Sequence, residues 1–445
     1  MQVYLTALGC RLNEAELQMW ADEFRVQGLA ITSLIEDASI LVINTCAVTG
    51  EAARKSRQTI RKLHRKNPAA KLIVTGCYAS LEKQQAQTLL GVDLVVANAD
   101  KNKLPVLAKE LLEVPSMPFA ATEPSENALF VRSRERAFIK IQDGCRYRCT
   151  YCIVTVARGE ESSRTLEDLL NEVKRLQAIG VKEIVLTGVH VGGYGADLGT
   201  NLYELVVALL KQTSIERIRF ASVEPWDLPE HFFELFKNKR LMPHMHLPIQ
   251  SGSDQILKKM SRRCKAETFL QLVDKARQVV PDFNITSDVI VGFPGETEDD
   301  FALSQKIVEA ANFGHVHIFS YSNREGTKAA TLSGQIDGEI KKKRSQRLHQ
   351  VASQVKQQQQ AKMLGKRQKI LWEGKGQRTE SGRFRYYGYT ENYHKVLIDL
   401  EQAIDIGNQI ICCEIKQIDP QSGLLRVALV EILNPAEQPI WLKQN

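Results

Sequence analysis

The sequence predicts an α/β protein in three parts: an N-terminal doubly wound parallel sheet, a central partial (β/α)6 barrel and a small C-terminal β-barrel. Three observations predict it. Short Val, Ile and Leu runs alternate with helical patterns over residues 1–110, the signature of a parallel sheet with covering helices. The same alternation resumes at Arg136 and runs to about Tyr321. Beyond residue 366 the chain turns to short strands broken by Gly, Asn, Asp and Pro, as in a small barrel. The expected boundaries are 1–112, a linker at 113–131, 132–365 and 366–435, which suits 445 residues.

In the first part the expected strands are Val3–Leu8, Ile40–Asn44, Lys71–Thr75 and Asp93–Ala97, with helices near Asn13–Val26, Glu51–Lys66 and Leu81–Leu90. Cys10, Cys46 and Cys77 each follow an expected strand by one or two residues. Ligands collect at the carboxyl ends of strands in open parallel sheets, so three thiols distant in sequence are candidates for one edge. Three independent buried cysteines are the plainer alternative. The helix after Cys46 carries Arg54, Lys55, Arg57, Arg61, Lys62, Arg65 and Lys66, either a solvated face or a surface for a phosphate backbone. Residues 113–131 hold Pro115, Pro118 and Pro124 without periodicity, which reads as a semi-rigid linker.

In the second part the expected strands are Ala137–Gln142, Glu183–Thr187, Arg217–Ser222, His244–Pro248, Ile285–Gly292 and His315–Tyr321. Polar or Gly-rich motifs follow five of them: Asp143-Gly144-Cys145, Thr187-Gly188-Val189-His190, Ser222-Val223-Glu224-Pro225, Gln250-Ser251-Gly252-Ser253 and Gly292-Phe293-Pro294-Gly295-Glu296. Active sites of β/α barrels lie at that end. A basic helix follows at 338–366, with Lys341, Lys342, Lys343, Arg344 and Arg347; it is a solvated connector or a second RNA-facing surface. In the tail, Phe384, Tyr386, Tyr387 and Tyr389 alternate with Arg383, Arg385 and Lys395, a pattern shared by core packing and by stacking platforms for bases.

Composition narrows the function. Hydrophobic content of 43% and charged content of 25% are those of a globular protein. No apolar run approaches the roughly 18–20 residues of a membrane span, and the first ten residues do not read as a leader; a cytoplasmic enzyme without membrane contact is expected. Nine cysteines in a chain of this length favour metal or catalysis over a disulfide scaffold. A formal net charge of +7 matters where it is clustered.

The most specific feature is Cys145-Arg146-Tyr147-Arg148-Cys149-Thr150-Tyr151-Cys152, a Cys-x3-Cys-x2-Cys run. Three thiolates hold three irons of a cubane cluster and leave the fourth open. A structural zinc or a fully thiolate-held cluster wants four protein ligands. Trp226, Cys264, Cys412 and Cys413 read as structural. The last two are adjacent, so on a strand they point to opposite faces.

The Cys145–Cys152 run resembles the cluster loop of the radical S-adenosylmethionine (SAM) superfamily, and nearly the whole chain is similar to its methylthiotransferases. The resemblance rests on Thr6-Ala7-Leu8-Gly9-Cys10-Arg11-Leu12-Asn13, Asn44-Thr45-Cys46-Ala47-Val48-Thr49, Thr75-Gly76-Cys77-Tyr78-Ala79, Val289–Thr297 and Tyr321–Thr327. The tail is similar to the family's RNA-binding TRAM domain. The resemblance implies two 4Fe–4S clusters, one held by Cys145, Cys149 and Cys152 that cleaves SAM, the other held by Cys10, Cys46 and Cys77 and carrying the transferred sulfur. It implies SAM contacts from Tyr151 and from Thr187 and Gly188, and Arg164, Glu224 and Gln250 are expected as polar SAM contacts by their position more than by a motif. Thr155 stands where the family usually has Pro. Three substrates compete: threonylcarbamoyladenosine in tRNA, isopentenyladenosine in tRNA, and an aspartate of a ribosomal protein. The Leu8–Glu16 motif looks most like the first group. A tRNA anticodon loop, an electron donor such as flavodoxin or ferredoxin, and a monomeric state complete the expectation.

Overall fold

The computed structural model describes residues 1–112, 135–229 and 231–430. The expected linker at 113–131 and the last stretch of the expected tail, 431–435, lie outside them. Among the described residues no helix is long and apolar enough to cross a membrane.

The first sheet holds five parallel strands, β1 (Gln2–Ala7), β2 (Ala30–Thr32), β3 (Ile40–Thr45), β4 (Lys71–Gly76) and β5 (Val92–Val96), in the order β2-β1-β3-β4-β5. All six residues of the central β3 are buried, as a strand covered on both faces requires. Leu17, Trp20 and Phe24 of α1 (Arg11–Val26) pack on one face. Ala53, Ile60 and Leu63 of α2 (Gly50–Lys66) pack on the other. The Thr49 hydroxyl accepts from the Ala52 N–H and starts α2, an N-cap. The helix expected over Leu81–Leu90 is instead two short ones, α3 (Cys77–Leu81) and α4 (Lys83–Gln87). The break is at Glu82, whose backbone (φ −121°, ψ 45°) leaves the helical region. The three-residue β2 and α5 (Leu104–Leu111) are additions to the expected set.

The second part is a partial barrel. A short ribbon, β7 (Gln142–Asp143) with β8 (Ser162–Ser163), and α6 (Val154–Arg158) frame the cysteine loop. The wall is β6 (Arg136–Lys140), β9 (Glu183–Thr187) and β10 (Arg217–Phe220), then β11 (His244–His246), β12 (Asn284–Val291) and β13 (His315–Ser320), with neighbouring strands parallel. Parallel bridges Ile218–Leu241 and Ser222–His246 join the two halves. The helices α7 (Leu166–Ala178), α8 (Leu202–Gln212), α9 (Asp254–Lys259), α10 (Ala266–Val279), α11 (Glu298–Ala310) and α12 (Gly338–Ala361) accompany it. Thr297 and Asp300 form a capping box at α11.

The third part is a closed antiparallel-rich barrel of β14 (Arg367–Arg378), β15 (Phe384–Tyr389), β16 (Lys395–Leu400), β17 (Ile410–Ile418) and β18 (Leu425–Leu429), in the order β14-β15-β16-β18-β17. Trp372, Tyr386 and Cys413 fill its core. Cys412 is exposed and Cys413 buried, as alternation demands.

Two buried ion networks fix these parts against one another. At the first, Glu16 of α1 accepts from Lys101 (2.5 Å), Lys140 (3.1 Å) and Arg158 (2.9 Å). Asp143 accepts from Lys140 (2.8 Å), Arg158 (3.0 Å) and Lys101. At the second, Glu183 accepts from Arg136 (2.5 Å) and Arg219 (3.0 Å) at the starts of the barrel strands. Arg136 also reaches Glu373 of β14 (2.8 Å), and the Arg219 guanidinium lies 4.5 Å from the Tyr393 ring centroid. The third part therefore sits on the N-terminal ends of the barrel strands.

Burial alone would raise the Glu183 pKa, but Arg136 and Arg219 outweigh it and hold the carboxyl well below its usual range. A depressed carboxylate pKa adds stability that is full above the unfolded value, near 4.3, and fades only as pH falls through the lower folded value. Glu183→Ala takes the carboxylate from buried Arg219 and leaves Arg136 with Glu373 alone, and is expected to cost about 3–5 kcal/mol at pH 7. An unchanged denaturant midpoint would refute this. Glu16→Ala is expected to cost a similar amount, on the order of 3–5 kcal/mol, and to speed proteolysis between the first two parts; a wild-type digestion rate would count against it.

Candidate functional site

Cys46 follows β3 directly and Cys77 opens α3 directly after β4. Cys10 comes three residues after β1 and precedes α1. The three strands are adjacent, so their carboxyl ends bring the thiols together. Cys10, Cys46 and Cys77 are electrostatic neighbours. Gly9 (φ +101°) permits the approach: a Cβ there would lie 2.8 Å from the Cys46 sulfur. At Gly76 (φ +95°) a Cβ would lie 2.4 Å from Asn44 Oδ1. The Val48 N–H points to Cys46 and the Asn13 N–H to Cys10.

Cys145, Cys149 and Cys152 form the second group of mutual neighbours. Their loop is pinned by backbone bonds from Thr150 N to Met260 O (3.1 Å) and from Ala329 N to Thr150 O (2.7 Å). The N–H groups of Val154 and Thr155 both point to Cys152. A proline at 155 would have no N–H to offer. The Thr155 hydroxyl also donates to Tyr147 O (3.0 Å).

Each triplet has one buried arginine beside it. Arg158, 1% exposed, neighbours Cys10 and Cys77 and donates to Asn13 Oδ1 (2.7 Å). Arg262 donates to the Cys149 sulfur (3.8 Å) and lies 4.2 Å from the Trp226 ring centroid. Neither arginine figured among the expected site residues, and Trp226, read as structural, stands in the site wall. The signal available was the Arg158-Gly159 pair closing the cysteine loop; for Arg262 no local pattern existed.

Of the expected SAM contacts, Tyr151 and Glu224 come together with Arg262 and the cysteine loop. Burial raises the Glu224 pKa, and its Oε2 is buried without a partner among the described residues. Gln250 (φ +80°) bridges Asp288 and Ile290 by its backbone. Thr187 and Gly188 face a separate stretch of wall, in a cavity of about 920 Å3 that Cys10 also lines. Arg164 is bound to Glu172 (2.5 Å) and Lys140 O (3.1 Å), away from the Tyr151–Glu224 group. His190 is clamped between Glu161 (2.5 Å) and Asp227 (2.6 Å). Burial opposes its charged form, but Asp227 and Glu161 outweigh that and raise its pKa.

The donor sets fit iron–sulfur clusters. All six cysteines are free of disulfides, N–H groups point at the sulfurs of Cys10, Cys46, Cys145 and Cys152, and a guanidinium stands by each triplet. Without metal, burial pushes Cys46 and Cys152 up to about 11 and Cys145 to about 12, so iron binding must displace protons. The orphaned Glu224 oxygen suits a polar ligand.

The expected basic surfaces divide. Arg54, Lys55, Arg61, Lys62, Arg65 and Lys66 are exposed along α2. On α12, Arg344 is buried on Glu296 (2.7 Å) and Arg347 pairs with Glu298, leaving Lys342 and Lys343 exposed. In the tail Tyr386 is core, donating to Ile404 O (2.7 Å), whereas Tyr389 stacks on Tyr393 at 4.8 Å and lines the cavity.

Comparison with known proteins agrees with this arrangement. The family described as "Radical SAM superfamily" matches residues 139–306, and "Uncharacterized protein family UPF0004" matches residues 2–97. The "Threonylcarbamoyladenosine tRNA methylthiotransferase MtaB" of Thermotoga maritima is 36% identical over 380 residues, covering 83% of this chain and 86% of its own length. The Bacillus subtilis protein of the same name is 34% identical, covering 88% of each. The "tRNA-2-methylthio-N(6)-dimethylallyladenosine synthase" of Methylacidiphilum infernorum is 35% identical over 89% of this chain and 88% of its own. Among solved structures, the radical SAM methyltransferase TsrM of Kitasatospora setae matches with a TM-score of 0.56 and 14% identity, over 74% of this chain and 77% of its own, a likeness of fold. With its parallel N-terminal sheet, radical SAM core and closed TRAM-like barrel, and with SAM and two 4Fe–4S clusters as its cofactors, the chain belongs to the radical SAM methylthiotransferases.

Proposed function

We propose that this enzyme inserts a methylthio group at C2 of N6-threonylcarbamoyladenosine at position 37 of tRNA, with SAM as both radical source and methyl donor. The observation that carries the reading is the shared cavity. Cys10 of the first triplet opens onto the hollow of the barrel together with Thr187-Gly188, which supports a substrate held inside the barrel beside the sulfur-bearing site. The names and identities of the relatives support a tRNA target.

In this reading Cys145, Cys149 and Cys152 hold one cluster and Cys10, Cys46 and Cys77 the other. Bound clusters and SAM supply the radical chemistry that an unactivated C–H bond requires. The chain's own groups orient and shield. The free Glu224 oxygen would accept a hydrogen bond from a polar group of SAM. Tyr151, packed on the cluster of Met260 and Phe293, would wall the adenine. Thr187 and Gly188 shape the cavity edge, and Gln250 ties the neighbouring strand by its backbone. Arg158 and Arg262 offset the negative charge of thiolate-bound iron. The exposed cations of α2 face the phosphate backbone of the anticodon arm.

Mass spectrometry of tRNA nucleosides from cells lacking the protein is expected to show loss of 2-methylthio-N6-threonylcarbamoyladenosine, with the isopentenyl counterpart unchanged; the reverse pattern would overturn the substrate. Cys10→Ala, Cys46→Ala and Cys77→Ala are each expected to drop iron from about eight to about four per chain and to abolish thiolation while SAM is still cleaved. Full iron content in all three would refute the ligand assignment.

A further inference from the structure

The interior of the barrel is polar where such barrels are ordinarily packed. In closed β/α barrels Val, Ile and Leu fill the core. Here the inward positions of three neighbouring strands are His244 and His246 on β11, Thr286 and Asp288 on β12, and His315 and His317 on β13, and they line the 920 Å3 cavity. Five of the nine histidines of the chain border it, His394 being the fifth. His244 and His394 are buried, with His244 Nδ1 unpartnered among the described residues, whereas His315 and His317 keep solvent exposure; buried polar atoms without partners are costly, so a hollow of this composition is suited to a polar occupant.

The wall is built in an ordered way. His246 Nε2 lies 3.2 Å from Asp288 Oδ1, and its Nδ1 lies 3.0 Å from the Thr286 hydroxyl. That hydroxyl is also 3.1 Å from His244 Nε2. The His246 ring is thus held from both sides. His317 stands across from it, ring centroids 5.7 Å apart, with no hydrogen-bond partner among the described residues. Ring atoms of His246 and His317 and a carboxylate oxygen of Asp288 all lie within 4.8 Å of one another. Loss of solvent lowers the pKa of both His315 and His317, against the pull of Asp288 on each, and Lys356 adds to the lowering at His315, so these imidazoles are neutral donor–acceptors at pH 7. Lys356 of α12 lines the same cavity beside His315, and no carboxylate pairs with it among the described residues.

We infer that His246, Asp288 and His317, with Lys356, form a subsite for the N6 substituent of the substrate adenosine, selecting a substituent with hydroxyl and carboxylate groups over an apolar one. The inference rests on the adenosine reading above and assigns its specificity to these residues. His317 and Asp288 meet the hydroxyl and the carbamoyl N–H, and Lys356 meets the carboxylate. A site that hydrogen-bonds its ligand rejects an analogue lacking those groups far more strongly than a greasy pocket rejects a polar one.

The test uses the holoenzyme with both clusters and SAM, unreduced so that no turnover occurs. Its binding is measured to three anticodon stem–loop RNAs that differ only in the N6 substituent: threonylcarbamoyl, isopentenyl or none. The readout is the ratio of affinities, since partial misfolding lowers all three together. The wild type is expected to prefer the threonylcarbamoyl loop, and H317F and K356M are each expected to shrink that preference by about tenfold or more. Ratios within twofold of wild type in both variants overturn the subsite. A wild type that prefers the isopentenyl loop, or none, overturns the substrate reading itself, whatever the variants do. Elemental analysis adds one further outcome: zinc at one per chain that disappears in H317F makes the triad a metal site and overturns the inference.

Discussion

Two carboxylates and three cations meet in a space closed to water, and both cysteine triplets hang from that meeting. Glu16 belongs to the helix that begins beside Cys10; Asp143 lies two residues before Cys145; Arg158 closes the cysteine loop of the barrel and reaches back between them. Lys101 and Lys140 complete the set. Desolvating five charges is costly, and the cost is recovered only when every partner is in place. The geometry is therefore tightly constrained where two separately folded parts must align their sulfur ligands. Three cations against two carboxylates leave one positive charge over, and Arg158, one of the three, neighbours Cys10 and Cys77.

The other end of the barrel is governed by the same physics with a different result. Glu183, Arg136 and Arg219 sit at the starts of the strands, and Tyr389 and Tyr393 lie over the two guanidiniums. The C-terminal barrel thus plugs the bottom of the partial barrel as well as offering an outer surface. Asn284 Nδ2 donates to Asn392 O (2.8 Å) and Lys366 pairs with Asp282 (2.6 Å) at the same seam. With its floor closed, the polar cavity opens toward Cys10 and the barrel mouth, which is what a site that must exclude water from a radical needs.

How much of this was legible depended on range. Strand and helix order was readable because hydrophobic periodicity is local: six strand runs of the barrel and the short strands of the tail announced themselves. The short β2 was missed because three residues carry too little pattern. Glu82 ends a helix that propensity would continue. The basic run on α12 looked uniform, yet Arg344 is buried on Glu296 while Lys342 faces solvent, and only the packing of α11 against α12 separates them. The aromatic tail split in the same way, with Tyr386 in the core and Tyr389 on the cavity.

The cysteine spacing by itself pointed to a three-thiolate metal site, since Cys-x3-Cys-x2-Cys lies within one loop, and the chemistry assigned to it came from the resemblance that this run carries. The Gly-Cys steps at 9–10 and 76–77 marked strand ends for the same local reason. What only the tertiary structure decided was company: that Arg158 stands by one triplet and Arg262 by the other, that Arg164 turns to Glu172, and that histidines from three strands share one hollow. Apart from Arg164 and Glu172, eight positions apart, those residues lie tens to hundreds of positions from their partners, and a charge or an imidazole carries no mark in sequence of the partner it will meet across a fold.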